Sequence, residues 1–414
     1  MSHILAYTSP ARGHLFPLIP ILDELRARGH DISVRTLASE VPLMRSHGFS
    51  AAAINAAVEA IALQDWRAPN QRKALAAAVR GFCDRAEYDA EDLRRAIHEE
   101  QPDAVVVDIN SWGALAAAEQ WGGQWAAFCP YPMALRSTQV PPFGPGWPPA
   151  QGAVGRVRDT LLGPIVIGTV EKQMLAPLNL VRSRLGLTPL NHSDEIFARP
   201  PLLLYLTAEP FEYHRDNWPD NIVMVGPCDW EPPSSLPPWI AEIEQPIVLV
   251  TTSSEFQDDG RLVRAALEAL DGEPFHVIAT LPSGNPRDFD IPDNAHVERF
   301  LPHGPLLDRA VGAITHGGMG ATQKALARGV PVCVVPFGRD QFEVARRVEV
   351  AQAGTRLPAR RLNPDKLRSA LGEALTKTAG ASRVAAGFKA AGGPVASADA
   401  IERRLLAGAH SSAG

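Results

Sequence analysis

An α/β protein of two domains, each built on a doubly wound parallel sheet, is what the sequence predicts. Three observations point there. At 414 residues the chain is too long for one ordinary core. Strand-like apolar runs alternate with helix-like amphipathic ones, the order that parallel sheets require. That rhythm breaks in a proline-rich stretch between Pro227 and Pro246, then restarts.

The elements follow in order. Ile4-Leu5-Ala6-Tyr7 is a strand, and Ser9 to Phe16 a turn. A helix is expected from Pro17, with Leu18, Ile21, Leu22 and Leu25 on one face and Gly29 as its stop. Asp31–Thr36 is a strand and Val41–Ser46 a helix ended by Gly48. Leu75, Val79, Phe82, Leu93 and Ile97 recur at helical spacing. Asp103–Val107 is a buried strand ending at Asp108, Ala114–Gln120 a helix, and Gln124–Phe128 the next strand. Val140 to Pro149 holds too many prolines and glycines for regular structure. With the apolar run Leu161–Ile167 it forms either a pocket wall or a packed surface loop. Past the connector come strand Ile247–Thr251, helix Leu262–Leu270, strands Phe275–Thr280, Val297–Phe300 and Val311–Ile314, a glycine-rich turn, a helix ending at Gly329, and a strand within Pro331–Pro336. Ser397–Leu406 is a helix followed by a short tail. The domains are therefore 1–228 and 246–395, joined by 229–245, and 396–414 is expected to pack back towards the N-terminal domain.

Composition narrows the function classes. A net charge of −6, with no Lys/Arg block, excludes a dedicated nucleic-acid binder. No apolar run nears the ~20 residues that span a bilayer, so no stable membrane insertion is expected. The opening Met1-Ser2-His3-Ile4-Leu5-Ala6 lacks the regions of a signal peptide. Cys83, Cys129, Cys228 and Cys333 have no metal spacing and suit small buried residues of a cytoplasmic protein.

Three places carry candidate chemistry. Thr315-His316-Gly317-Gly318-Met319-Gly320-Ala321-Thr322 leaves a strand and opens a helix. Free N–H groups, the positive helix end and room at the glycines make an anion site there, though many α/β turns hold glycines for geometry alone. A dinucleotide fingerprint fails at Gln323, and no Gly-Lys-Ser/Thr is present. His14, in Gly13-His14-Leu15-Phe16-Pro17, follows the first strand and could take a hydroxyl proton as a neutral imidazole, or be structural. Asp108 ends an apolar strand where a carboxylate needs a partner. It could orient His14 or cap the helix beyond Asn110. There is no Gly-x-Ser-x-Gly elbow, His98-Glu99-Glu100 has no second histidine at zinc spacing, and no metal site is expected.

Taken together, Gly-His-x-x-Pro at His14, Val107-Asp108-Ile109, and His316 through Gln341 resemble the family 1 glycosyltransferases of the GT-B fold, particularly bacterial enzymes acting on macrolides and other natural products. The resemblance implies two Rossmann-like domains facing across a cleft, the first binding an acceptor and the second a nucleotide-sugar. His14 would be the base and Asp108 its partner. His316, Gly318 and Gly320 would bind the donor diphosphate, with Thr322 and Ser254 as secondary contacts. Asp340 and Gln341 would read sugar hydroxyls, and Phe300 with Leu301 would meet the base. Trp112, Phe143 and Trp147 suggest a greasy acceptor chamber, and the partners would be a nucleotide-sugar, UDP-glucose favoured over a dTDP-sugar, and a hydrophobic small molecule. Transfer would invert the anomeric centre, with neither metal nor cofactor.

The chain departs from the family where Lys324 replaces a common ribose-binding glutamate, where Ser253-Ser254-Glu255 replaces Gly-Ser or Gly-Thr, and at Ala321. Two other readings remain, a sugar-nucleotide epimerase and a non-catalytic accessory protein. An epimerase needs no hydrophobic chamber, and an accessory protein would be expected to have lost His14 or His316.

Overall fold

The computed structural model describes residues 1–68, 70–150, 152–254, 257 and 259–407. Glu255 and the tail 408–414 lie outside the described residues. The first sheet has strands β1 His3–Tyr7, β2 Asp31–Thr36, β3 Ser50–Ala53, β4 Ala104–Asp108, β5 Gln124–Cys129, β6 Leu202–Tyr205 and β7 Ile222–Met224. Their spatial order is β3-β2-β1-β4-β5-β6-β7. The second has β8 Ile247–Thr251, β9 His276–Thr280, β10 Ala295–Glu298, β11 Ala310–Thr315, β12 Val332–Val334 and β13 Gly354–Arg356, ordered β10-β9-β8-β11-β12-β13. Neighbouring strands run parallel throughout both sheets.

Burial explains the strand compositions. β4 and β8 are buried at every residue, as central parallel strands covered on both faces must be, so their sequences are unbroken apolar runs rather than alternations. Alternate residues feed opposite cores. Leu5, Val105 and Ala127 meet the helices Gln71–Glu100 and Trp112–Trp121, whereas Ile4, Val106 and Phe128 meet the helix Arg12–Ala27. The C-terminal helix Gly393–Ile401 joins the latter core through Ala398 and Ile401, and Arg28 bonds Asp399 and Glu402 at 2.7 Å.

Several boundaries differ from expectation. The first helix starts at Arg12, not Pro17, because Ala11 is the last extended residue and Leu15 already joins the buried stripe of Leu18 and Leu22. Pro17 and Pro20 therefore lie inside the helix, each removing one amide donor, and the buried stripe outweighs that loss. The run Leu161–Ile167 is part of the long helix Gly152–Arg184, with Gly163 and Pro164 inside it. β10 ends at Glu298, which leaves Phe300 in a loop. Gln341 begins the helix Gln341–Val350, with Asp340 as its cap residue. All four cysteines are buried and unpaired.

Each sheet reverses its strand order once, at β1/β4 and at β8/β11. At such a point two loops diverge beyond the strand ends and leave a crevice. His14 follows β1 and Asp108 ends β4, while Ser253 follows β8 and His316 follows β11.

Candidate active site

His14 lies in the first turn of its helix, where the positive helix end disfavours an imidazolium. Asp108 offsets this. Its Oδ1 stands 2.8 Å from His14 Nδ1, and its carboxylate accepts from the Ser9 N–H at 2.9 Å and the Asn110 N–H at 3.0 Å. Burial alone would raise Asp108; the charge and hydrogen bond of His14, the Asn110 N–H and the Ser9 hydroxyl, which donates to Oδ2 at 2.5 Å, hold it below the usual carboxylate range. An ionised Asp108 makes Nδ1 the protonated nitrogen and leaves Nε2 with its lone pair. Asn110 Nδ2 lies 3.3 Å from Nε2, and Tyr131 donates to Asn110 Oδ1 at 2.8 Å. Ser9, Asn110 and Tyr131 were not found by sequence reasoning. Only the spacing of Asn110, two residues past Asp108 in a turn, signalled a contact.

At the second switch point the turn is set by backbone geometry. Gly317 has φ +95°, where a side chain is strained, and a Cβ there would press on Val334 and Gln341. A Cβ on Gly318 would stand 2.5 Å from His316 Nε2, while Gly320 opens onto space. The helix Met319–Ala327 begins there, so its unpaired N–H groups and the Nε2 edge face one spot. His316 Nδ1 lies 3.3 Å from the Thr251 carbonyl oxygen. Burial lowers His316 below the ordinary histidine value, with Asp259 opposing.

Both histidines line one cleft of about 2070 Å³. Ser254, Phe300, Leu301, Gly318, Gly320, Asp340 and Gln341 share its wall, and so do Trp112 and Phe143. Phe300 is 50 % exposed and free to stack, whereas Leu301 is buried. Three assignments need correction. Thr322 is fully buried under the turn, 3.1 Å from Thr315 Oγ1, so its hydroxyl supports the turn rather than facing a ligand. Gln341 Oε1 accepts from the N–H groups of Phe337 and Gly338 and its Nε2 donates to Gln257 at 2.6 Å, leaving Asp340 as the side chain available to a sugar. Trp147 lies off the cleft wall, under the guanidinium of Arg158 at 5.2 Å.

The Asp340 carboxylate meets its own backbone N–H and accepts no hydrogen bond from another residue among the described residues. Burial raises it, and the charge of His14 is among the opposing influences. Lys324 is held between Asp229 at 2.8 Å and Glu231 at 2.7 Å, and all three line the cleft. No group of three or more His, Cys, Asp or Glu side chains is placed to hold a metal among the described residues, and no described helix is long and apolar enough to cross a membrane.

Known proteins resemble this chain in sequence and in fold. Residues 261–402 match the erythromycin biosynthesis protein CIII-like C-terminal domain family. The 4'-demethylrebeccamycin synthase of Lentzea aerocolonigenes is 31% identical over 394 residues, covering 89% of this chain and 91% of that one. The chain belongs to the family 1 natural-product glycosyltransferases. The fold is GT-B. The calicheamicin glycosyltransferase CalG4 superposes with a TM-score of 0.74 over 98% of this chain and 99% of that one, at 21% identity. The glycosyltransferase VinC, solved in complex with DTDP, superposes at 0.70 over 97% and 99%, at 19% identity. As a glycosyltransferase, this enzyme moves a sugar onto a small-molecule acceptor. Residues from both switch points line one large cleft.

Proposed function

We propose that the enzyme transfers a hexose from a nucleoside diphosphate sugar to a hydroxyl of a hydrophobic small molecule, with inversion and without a metal or cofactor. The observation that carries this is the single cleft holding the His14–Asp108 pair on one side and the His316–Gly320 turn on the other. The acceptor oxygen forms the new bond to the anomeric carbon as its proton passes to His14 Nε2. The bond to the diphosphate breaks, and its electrons leave with the diphosphate. Asp108 stabilises the imidazolium, while the helix end and His316 stabilise the departing charge. Attack from the face opposite the leaving group inverts the centre.

Phe82, Trp112, Phe143 and Ile165 wall the chamber for an apolar acceptor. At the nucleoside end, Asp229 and Glu231 bring carboxylates to the wall beside Lys324, in place of the glutamate that relatives use for ribose. UDP-glucose remains the favoured donor. The DTDP complex of VinC, a structural relative, supports a thymidine donor as the second possibility. A thermal-shift screen of UDP- and dTDP-sugars, followed by diphosphate release with a panel of apolar alcohols, tests the reading. Stabilisation by at least one donor and acceptor-dependent release are expected. Release that no alcohol accelerates would reject transfer to a hydroxyl.

A further inference from the structure

One group of contacts between the two halves takes no part in the transfer chemistry. The helix Gln341–Val350 belongs to the second domain, yet groups of the first domain grip it. Glu343 is buried, and its Oε1 accepts the N–H groups of Gly144 and Gly146, both at 2.8 Å. Arg346 Nε donates to the Gly146 carbonyl at 2.9 Å. Arg347, buried as well, forks onto Glu212 at 2.8 and 3.0 Å and lies 4.3 Å from the centre of the Tyr213 ring. A Cβ on Gly146 would stand 2.4 Å from the Phe342 carbonyl oxygen, so the loop lies directly on the helix.

A second grip sits just before the helix. Arg339 forks onto Asp65, both contacts at 2.9 Å, and Asp65 is 4% exposed. Arg339 adopts φ +51°, a left-handed conformation uncommon for a residue other than glycine, which persists only where surroundings hold it. Between the two grips lies Asp340, which keeps its carboxylate for the cleft. Two charge-paired forks and two amide contacts leave this segment little freedom to slide or rotate. A hydrogen bond to a sugar hydroxyl needs placement within about 0.5 Å, which such a frame supplies.

We infer that Arg339 and Glu343 are positioning residues through which the acceptor domain sets Asp340 against the donor sugar. The inference rests on the glycosyl-transfer reading. It makes donor recognition depend on residues of the other domain, Asp65 and the 144–146 loop, whose neighbour Phe143 faces the acceptor chamber. Asp65→Asn weakens one grip and Gly146→Ala the other, so a folding failure in one leaves the second as a test. Calorimetry would use UDP-glucose, dTDP-glucose, UDP and dTDP. Both variants should bind the sugar nucleotide about tenfold more weakly while binding the sugar-free diphosphate as wild type does, and Asp65→Glu should recover most of the loss. Unchanged sugar-nucleotide affinity, or equal loss for diphosphate and sugar nucleotide, overturns the inference. A wild type that binds none of the four probes instead overturns the uridine- or thymidine-diphosphate donor reading on which the inference rests.

Discussion

The two sheets place a histidine at equivalent points and surround it oppositely. His14 meets a buried carboxylate, so a proton arriving on its ring is stabilised where it lands. His316 is buried at a helix start, which disfavours positive charge until an anion arrives, and the Thr251 carbonyl and Asp259 only partly offset this. In the proposed reaction the same imidazole serves as a proton acceptor in one domain and an anion partner in the other. Neighbouring charge, rather than strand position, assigns the role.

The sharpest way to break this comparison is His14→Ala. Transfer should fall about a thousandfold, within the range general-base removal produces, with diphosphate affinity unaltered by calorimetry. Turnover retained in that variant would remove His14 as the base. Next comes His316. Its Nδ1 faces a carbonyl, so a neutral ring offers only a lone pair at Nε2, and donating to a phosphate oxygen requires a second proton. Diphosphate binding above neutral pH should therefore take up about one proton, measurable by repeating calorimetry in buffers of different ionisation heat. His316→Gln should lose that uptake and bind about ten- to a hundredfold more weakly. Binding without proton uptake would mean that the ring does not donate.

The smallest effect concerns Asp89, behind the His14 site. Burial, with the charges of Asp108 and Asp92 adding to it against Arg85 and the Tyr7 hydroxyl, pushes it up to about 8. A carboxyl raised on folding contributes stability that is fully present below its unfolded value near 3.8 and is lost as pH rises through about 8. Asp89→Asn should melt higher than wild type at pH 8 and show much less difference near pH 4. An equal shift at both pH values would contradict the assignment.

Legibility in the sequence followed locality. The unbroken apolar runs at β4 and β8, the glycines of 317–320 and the position of Asp108 at a strand end are local patterns with local causes. Thr322 was misjudged because its hydroxyl lies buried against Thr315, and Gln341 because its amide, though on the cleft wall, is taken up by Phe337, Gly338 and Gln257, pairings set by rotamer and neighbour. Trp147 failed for the same reason, since a proline-rich loop carries no period that says which ring faces inward. Pro17 misplaced a helix start because a buried leucine stripe overrode a proline preference.

By itself the sequence determined two parallel α/β sheets, a histidine after one strand, a carboxylate ending another and a glycine turn open to an anion, because strand periodicity and turn chemistry act within a few residues. That His14 meets Asp108, 94 residues away, was a tertiary outcome. Tertiary structure alone decided that Asn110 and Tyr131 back His14, that Asp229 and Glu231 flank Lys324, and that Asp65 and Glu343 tie the domains together. Those pairings join residues far apart in the chain, and only the packing of the two sheets brings them within a hydrogen bond.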